Sequence, residues 1–265
     1  MTVIEYAEDY VKLLQDISEQ PVQVNGRTGQ RLRVLPGGAM LKVDLLTGVV
    51  PIPMNRKYRP YVAAAEAAWI LSRTDSTEWI SSHCKIWDKF AINGKIKDSY
   101  GSRIGLQLDK VISQLELDKT TRRAVINLWD LKDDNTSLNA PCPTQVVLSV
   151  DRFNELNMSV FMRSSDVFVG LPYDIMTWSL ILDAIAAQLK MNARFLTFFL
   201  AHPHIYEAHQ DYVQPGGSHV YLIDTPGWNI NTILADKDNY VGWFKSHLRA
   251  IEPPNIFDPK PEVFE

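Results

Sequence analysis

Two short stretches carry the side chains best suited to covalent chemistry. In Ala140-Pro141-Cys142-Pro143 a cysteine lies between two prolines. Prolines on both sides disfavour a regular helix or a central strand, so the thiol is expected on irregular backbone. Most lone cysteines are small buried apolar residues. Arg163, 21 residues further on, raises the alternative. A guanidinium beside a thiol favours the thiolate, which is the nucleophile. Arg163 also opens the stretch Arg163-Ser164-Ser165-Asp166-Val167-Phe168-Val169-Gly170-Leu171-Pro172-Tyr173-Asp174. It joins an Arg-Ser pair suited to an anion, a glycine-proline turn and a carboxylate. Cys84, in Ser82-His83-Cys84-Lys85, lacks such neighbours and reads as structural. The two cysteines have neither metal-ligand spacing nor the numbers for a disulfide framework, which favours a reducing compartment and no metal.

Glu66 lies in Tyr61-Val62-Ala63-Ala64-Ala65-Glu66-Ala67-Ala68-Trp69-Ile70. At helical spacing it shares a face with Val62, Trp69 and Ile70. A carboxylate facing a core is costly unless paired or protonated, so its pKa should rise, which suits a general acid/base. Arg122 and Arg123 are adjacent and could grip a phosphate, although such pairs are commonly solvated. Arg27, in the turn Asn25-Gly26-Arg27-Thr28-Gly29, could do the same with backbone N–H groups. His204-Ile205-Tyr206 would put both polar side chains on one strand face, aimed at a sugar hydroxyl or packed as an aromatic pair. Trp87 and Phe90 are core aromatics or a stacking wall for a flat heterocycle.

These groups need a scaffold. Of the 265 residues 46% are hydrophobic, enough for one large domain over 1–265. The net charge of −4 argues against a nucleic-acid polymer as partner. No apolar run is long enough to span a bilayer, and Met1–Glu5 lacks a signal peptide's basic-then-apolar order. The expectation is a soluble cytoplasmic protein. Periodicity predicts helices over Ile4–Ile17, Tyr61–Ser72, Leu106–Leu115 and a long buried one over Ile175–Lys190. Strands are predicted within Arg31–Val50 and over Ala124–Trp129, Gln145–Val150, Leu156–Met162, Phe195–Leu200 and His219–Ile223. The tail from Pro253 should be irregular. Mixed strands with a few long helices indicate an α+β fold.

In this order and spacing, from about Arg27 to Tyr206, the fragments resemble the thymidylate synthase family over roughly two-thirds of the chain. The resemblance implies a mixed β-sheet packed with helices and a homodimer whose sheets meet back to back. It implies one-carbon transfer from 5,10-methylenetetrahydrofolate to a pyrimidine nucleotide monophosphate. It assigns Cys142 as the nucleophile that adds to C6 of the base, and Glu66 as the organiser of water and protons. Arg27, Arg163 and Ser164 become phosphate ligands, joined by Arg122 and Arg123 from the other subunit. His204 and Tyr206 become ligands of the 3′-hydroxyl, and Tyr100 of the Tyr-Gly pair an active-site tyrosine. Asp166 is matched to the pterin, Trp87 and Phe90 to the folate wall, and Arg56 to a basic folate contact.

The departures from the family pattern point to a different base. Where thymidylate synthases have asparagine after the Gly-Leu-Pro turn, this chain has Asp174. Asparagine can donate to O4 of uracil and accept from N3–H, whereas a carboxylate only accepts. Cytosine offers its amino group, and a protonated N3 offers a second donor. The competing reading is that Asp174 caps the helix expected from Ile175. Pro143 replaces the usual histidine after the cysteine, and Pro261-Glu262-Val263-Phe264-Glu265 does not match the short apolar tail that closes the synthases. A wetter site would let water add to the exocyclic methylene in place of hydride. The resemblance is therefore to the dCMP hydroxymethylase branch. A dCMP methylase, a CMP hydroxymethylase, a dUMP enzyme and a non-catalytic nucleotide-binding regulator are the alternatives.

Overall fold

The computed structural model describes residues 2–4, 7–26, 28–47, 50–53, 56–130, 140–213, 218–221 and 225–251. In chain order the first elements are β1 (Thr2–Ile4), α1 (Ala7–Ser18), β2 (Val22–Val24), β3 (Arg31–Val34), β4 (Ala39–Asp44) and β5 (Val50–Pro53). Then come α2 (Pro60–Leu71), α3 (Tyr100–Leu117), β6 (Val125–Asn127), β7 (Pro143–Val150), β8 (Glu155–Met162) and β9 (Ser165–Asp166). The last are α4 (Leu171–Gln188), β10 (Asn192–Leu200), β11 (Pro203–Tyr206), β12 (Ser218–Tyr221), α5 (Ile230–Ala235) and α6 (Lys237–His247). Helices and strands share one buried apolar cluster, and the architecture is α+β.

The main sheet has six strands in the order β1-β4-β10-β8-β7-β6 and is mixed, with β8 and β10 parallel and β7 and β8 antiparallel. Its strands alternate, as a sheet with one covered face must. Leu156, Met158, Val160 and Met162 of β8 are buried, as are Leu196, Phe198 and Leu200 of β10. The long helix α4 packs on this face, and α2 packs against α4. The other face is half-buried and carries Phe161 and Phe199 stacked at 4.7 Å. A second sheet, β2-β3-β11-β9, stands beside the first. A two-stranded ribbon joins β5 and β12.

Several predicted bounds move. The first helix begins at Ala7 because Thr2–Ile4 pair in parallel with Ala39–Leu41. Helix α3 starts six residues earlier than predicted, at Tyr100, and kinks where Gly105 adopts φ +36°. A Cβ on Gly101 would lie 2.9 Å from the carbonyl oxygen of Ile70, so glycine there lets the start of α3 press on the end of α2. Helix α4 starts at Leu171, not Ile175. Pro172 suits the first turn, where no N–H donor is needed, and the Gly-Leu-Pro turn is the helix start itself. No helix among the described residues is long and apolar enough to cross a membrane.

Candidate active site

The sheet edge and helices α2, α3 and α4 enclose a cavity of about 980 Å³. Cys142, Arg163, Ser164, Asp166, Asp174, Glu66, Tyr100, Trp87, Phe90, His204 and Tyr206 all line it. Residues of the first half of the chain, Glu66 to Tyr100, thus meet residues of the second, Cys142 to Tyr206.

Cys142 immediately precedes β7, and its carbonyl accepts the backbone N–H of Arg163, which follows β8. The antiparallel β7–β8 pair is what carries both to the same end. The guanidinium is clamped, with Nε donating to the Pro141 carbonyl at 3.0 Å and Nη2 to that of Ala140 at 2.7 Å. Nη2 stands 4.0 Å from Sγ of Cys142. A permanent positive charge held beside a sulfur is the arrangement that makes a thiolate. The Tyr100 phenol also reaches Cys142 and accepts a backbone hydrogen bond there. Burial, then the nearby Cys142 and Asp174, raise that phenol well above its ordinary range, so it stays neutral and able to donate.

Glu66 projects from α2 into three donors. Trp87 Nε1 donates to Oε1 at 3.0 Å, Cys84 Sγ to the same oxygen at 3.6 Å, and Thr177 Oγ1 to Oε2 at 3.4 Å. Burial outweighs these donors and pushes the carboxyl up to about 7. Trp87 is itself held by Trp69 at 5.1 Å and edge-on by Tyr100 at 5.9 Å.

Asp174 does not cap α4. The capping position is Gly170, and the Asp174 backbone N–H already bonds the Gly170 carbonyl. A Cβ at Gly170 would sit 3.2 Å from the Asp166 carbonyl oxygen, so this turn is tight. The Asp174 carboxyl is raised well above its usual range, first by burial and then by Glu66 and Asp166, with no hydrogen bond offsetting the rise. Asp166 Oδ1 accepts the backbone N–H groups of Phe168 and Val169, at 3.0 and 2.9 Å. Its Oδ2 is buried without a hydrogen bond, and the nearest basic group is His209 Nδ1 at 3.9 Å.

His204 and Tyr206 share a face of β11 as the alternation requires, with rings edge-on at 5.1 Å. Three groups stand apart. Arg122 and Arg123 are exposed before β6 and do not line the cavity of their own chain. Arg56 is fully buried and off the cavity wall. Its guanidinium lies 4.8 Å from the Tyr173 ring, and none of its nitrogens has a hydrogen-bond partner among the described residues. The rings of Tyr58 and Tyr173 beside it stack at 4.6 Å. Arg27 lies outside the described residues, although Asn25 and Gly26 beside it line the cavity. The tail 252–265 also lies outside them.

Sequence reasoning missed Thr177 and Cys84. Thr177 stands three residues after Asp174 on a helix, a spacing that alone puts it on the cavity side. Cys84 had no such signal, because its contact with Glu66 depends on a 3-10 turn over Lys85–Phe90.

One comparison with known proteins bears on this constellation. A family model described as Thymidylate synthase matches residues 8–233, and the chain belongs to the thymidylate synthase family.

Proposed function

We propose that the protein is a dCMP hydroxymethylase, converting dCMP to 5-hydroxymethyl-dCMP through a covalent adduct between Cys142 and C6. Family membership brings the coarser part: folate-dependent one-carbon transfer to C5 of a nucleotide, with methylenetetrahydrofolate as donor, in a family of homodimers. The observation that carries the finer part is Asp174, a carboxyl on the cavity wall that caps nothing and accepts no hydrogen bond from the described residues. Held at a raised pKa, it keeps a proton in the empty cavity. Cytosine N3 is basic and can take that proton. The resulting carboxylate then accepts from both N3–H and the 4-amino group. Uracil already bears hydrogen on N3, and its O4 is a poor base. In its ionised form the carboxyl offers only acceptors, and that form favours the base presenting two donors over uracil, whose O4 would face a lone pair.

The chemistry follows from the same side chains. The Cys142 thiolate, stabilised by Arg163, adds to C6. Protonation at N3 lets the ring accept the electron pair, and C5 becomes the nucleophile. Trp87 and Phe90 offer a flat wall, and the orphaned Oδ2 of Asp166 offers an acceptor for a ring N–H. These residues fit a folate, which when bound supplies the one-carbon unit. Once the C5 proton has left and an exocyclic methylene stands on the ring, Glu66 takes a proton from water as it adds. Expulsion of Cys142 then restores the aromatic ring. Arg163 and Ser164 meet the phosphate of the same nucleotide, with Arg27 a further ligand. Arg122 and Arg123 serve the partner's phosphate. The half-buried face bearing Phe161 and Phe199 is the surface available to a second copy, whose back-to-back sheet would cover it.

The test is mass spectrometry of products from methylenetetrahydrofolate with equimolar dCMP, CMP and dUMP. Hydroxymethylated dCMP is expected. Methylated dCMP would overturn the water step, modified CMP the sugar assignment, and modified dUMP the Asp174 argument. Nucleotide binding without product would favour a regulator.

A further inference from the structure

We propose that Cys84 is a positioning residue whose thiol selects which oxygen of Glu66 is left to hold water. This rests on reading Glu66 as the group that manages water and protons. A carboxylate oxygen has two lone-pair sites. Oε1 receives both Trp87 Nε1 and Cys84 Sγ, so its sites are filled. Oε2 faces only the Thr177 hydroxyl, whose one proton is shared with the Ala63 carbonyl at 3.3 Å, so the open acceptor capacity of the carboxylate is on Oε2. Removing the thiol opens a second site on Oε1, and water then has two places to bind, of which one is misplaced.

The backbone fixes the thiol where it is needed. Cys84 caps the 3-10 turn Lys85–Phe90 in an extended conformation, and its N–H bonds the Ile80 carbonyl at 2.8 Å. That turn is the one that delivers Trp87 to the same oxygen. The side chain lines the cavity, and burial, the adjacent Glu66 and Asp88 hold it in the neutral thiol form that can donate. The other titratable groups around the carboxylate are Tyr100 from α3 and Tyr173 and Asp174 from α4. Cys84 is therefore not a second nucleophile.

The experiment follows Glu66 directly, by 13C NMR of protein labelled at the glutamate carboxyl carbons. Its resonance is identified by loss in Glu66→Gln. Cys84→Ala removes one donor from the charged form, so the Glu66 titration should move upward by on the order of half a pH unit. Cys84→Ser, a stronger donor, should return it to the wild-type position or below. The acid limb of kcat should move with it, while KM for nucleotide stays within about twofold. Should Cys84→Ala fail to fold, Cys84→Val, which fills the same space without a donor, is read in its place. An unmoved titration in a folded donorless variant overturns the proposal, and so does a serine variant that behaves like alanine. If the hydroxymethylase reading fails, the product assay gives another nucleotide or none while the NMR shift persists, so the two failures are distinguishable.

Discussion

Asp174→Asn is the sharpest perturbation the site allows, because it changes charge and hydrogen-bonding pattern at nearly constant volume. The Asp174 carboxyl makes no hydrogen bond to the described residues, so the substitution breaks no contact of the folded chain. Two effects can then be separated. An amide cannot hand a proton to N3 of cytosine, and it can donate to O4 of uracil. One mismatched buried hydrogen bond costs about 1–3 kcal/mol, which is roughly 5- to 150-fold. The ratio of kcat/KM for dUMP over dCMP should therefore rise by about one to two powers of ten. The second effect is on stability. Burial, Glu66 and Asp166 raise the Asp174 carboxyl, so the folded chain holds a proton that the unfolded chain releases. Stability then falls as pH rises from the ordinary carboxylate range to the raised value. Each unit of elevation is worth about 1.4 kcal/mol. The asparagine variant lacks that loss, so at pH 8 it should melt about 2–5 °C above wild type, with the difference vanishing towards pH 4. Competition between dCMP and dUMP, with calorimetry at several pH values, checks both. An unchanged base preference would refute the recognition argument, and a variant that melts lower at pH 8 would refute the picture of an unpaired, crowded acid.

The Glu66 carboxyl, pushed up to about 7, should set the acid limb of kcat near that pH, with activity rising as the carboxylate forms. Glu66→Gln should lower turnover by about 10²–10⁴ and remove the Glu66 share of the expected decline in thermal stability as pH rises from about 4.5 to 7, read by pH-dependent melting. Cys142→Ala should give no nucleotide adduct by denaturing mass spectrometry, yet nucleotide should still raise its melting temperature. If Arg122 and Arg123 serve the partner's site, mixing inactive Cys142→Ala with inactive Arg122→Ala/Arg123→Ala should restore about a quarter of wild-type activity through hybrid dimers. No recovery after re-association would place both arginines elsewhere.

What could be read from sequence were the local patterns: the apolar stripe that aims Glu66, the prolines that free Cys142, and the alternation that pairs His204 with Tyr206. Each depends on residues within a turn or two of the one in question. Charged groups whose setting depends on distant elements were harder. Arg56 matched a ligand contact in the family pattern, but the setting of its guanidinium against Tyr173 was not legible, because Tyr173 comes from α4, more than a hundred residues away. Cys84 looked inert because nothing adjacent in sequence could accept from its thiol. Its acceptor lies on α2, 18 residues earlier, across a 3-10 turn that has no apolar period to betray it. The start of α4 was placed late because glycine and proline together read as a turn, when proline in the first turn of a helix loses no bond.

The three carboxyls around the cavity also make a single argument. Glu66, Asp166 and Asp174 share one space, and among the described lining residues the cation beside the nucleophile is Arg163, already committed to two carbonyls and the sulfur. Asp166 Oδ1 takes two backbone N–H groups. Glu66 rises because burial outweighs its three donors, and Asp174 rises with no hydrogen bond to oppose burial. Burial thus favours the protonated forms of Glu66 and Asp174. Hydroxymethylation of cytosine moves a proton at two points: N3 must gain a proton as the thiolate adds, and water must lose one as it attacks the methylene. On the proposed reading Asp174, whose protonated form burial favours, gives its proton as the thiolate adds and N3 becomes basic, and Glu66, pushed up to about 7, takes one from water. Uracil chemistry needs no proton on N3, and an asparagine suffices for it. On the hydroxymethylase reading, the ionised form of Asp174, which accepts from both N3–H and the 4-amino group, is the part of the site that only a cytosine reaction uses.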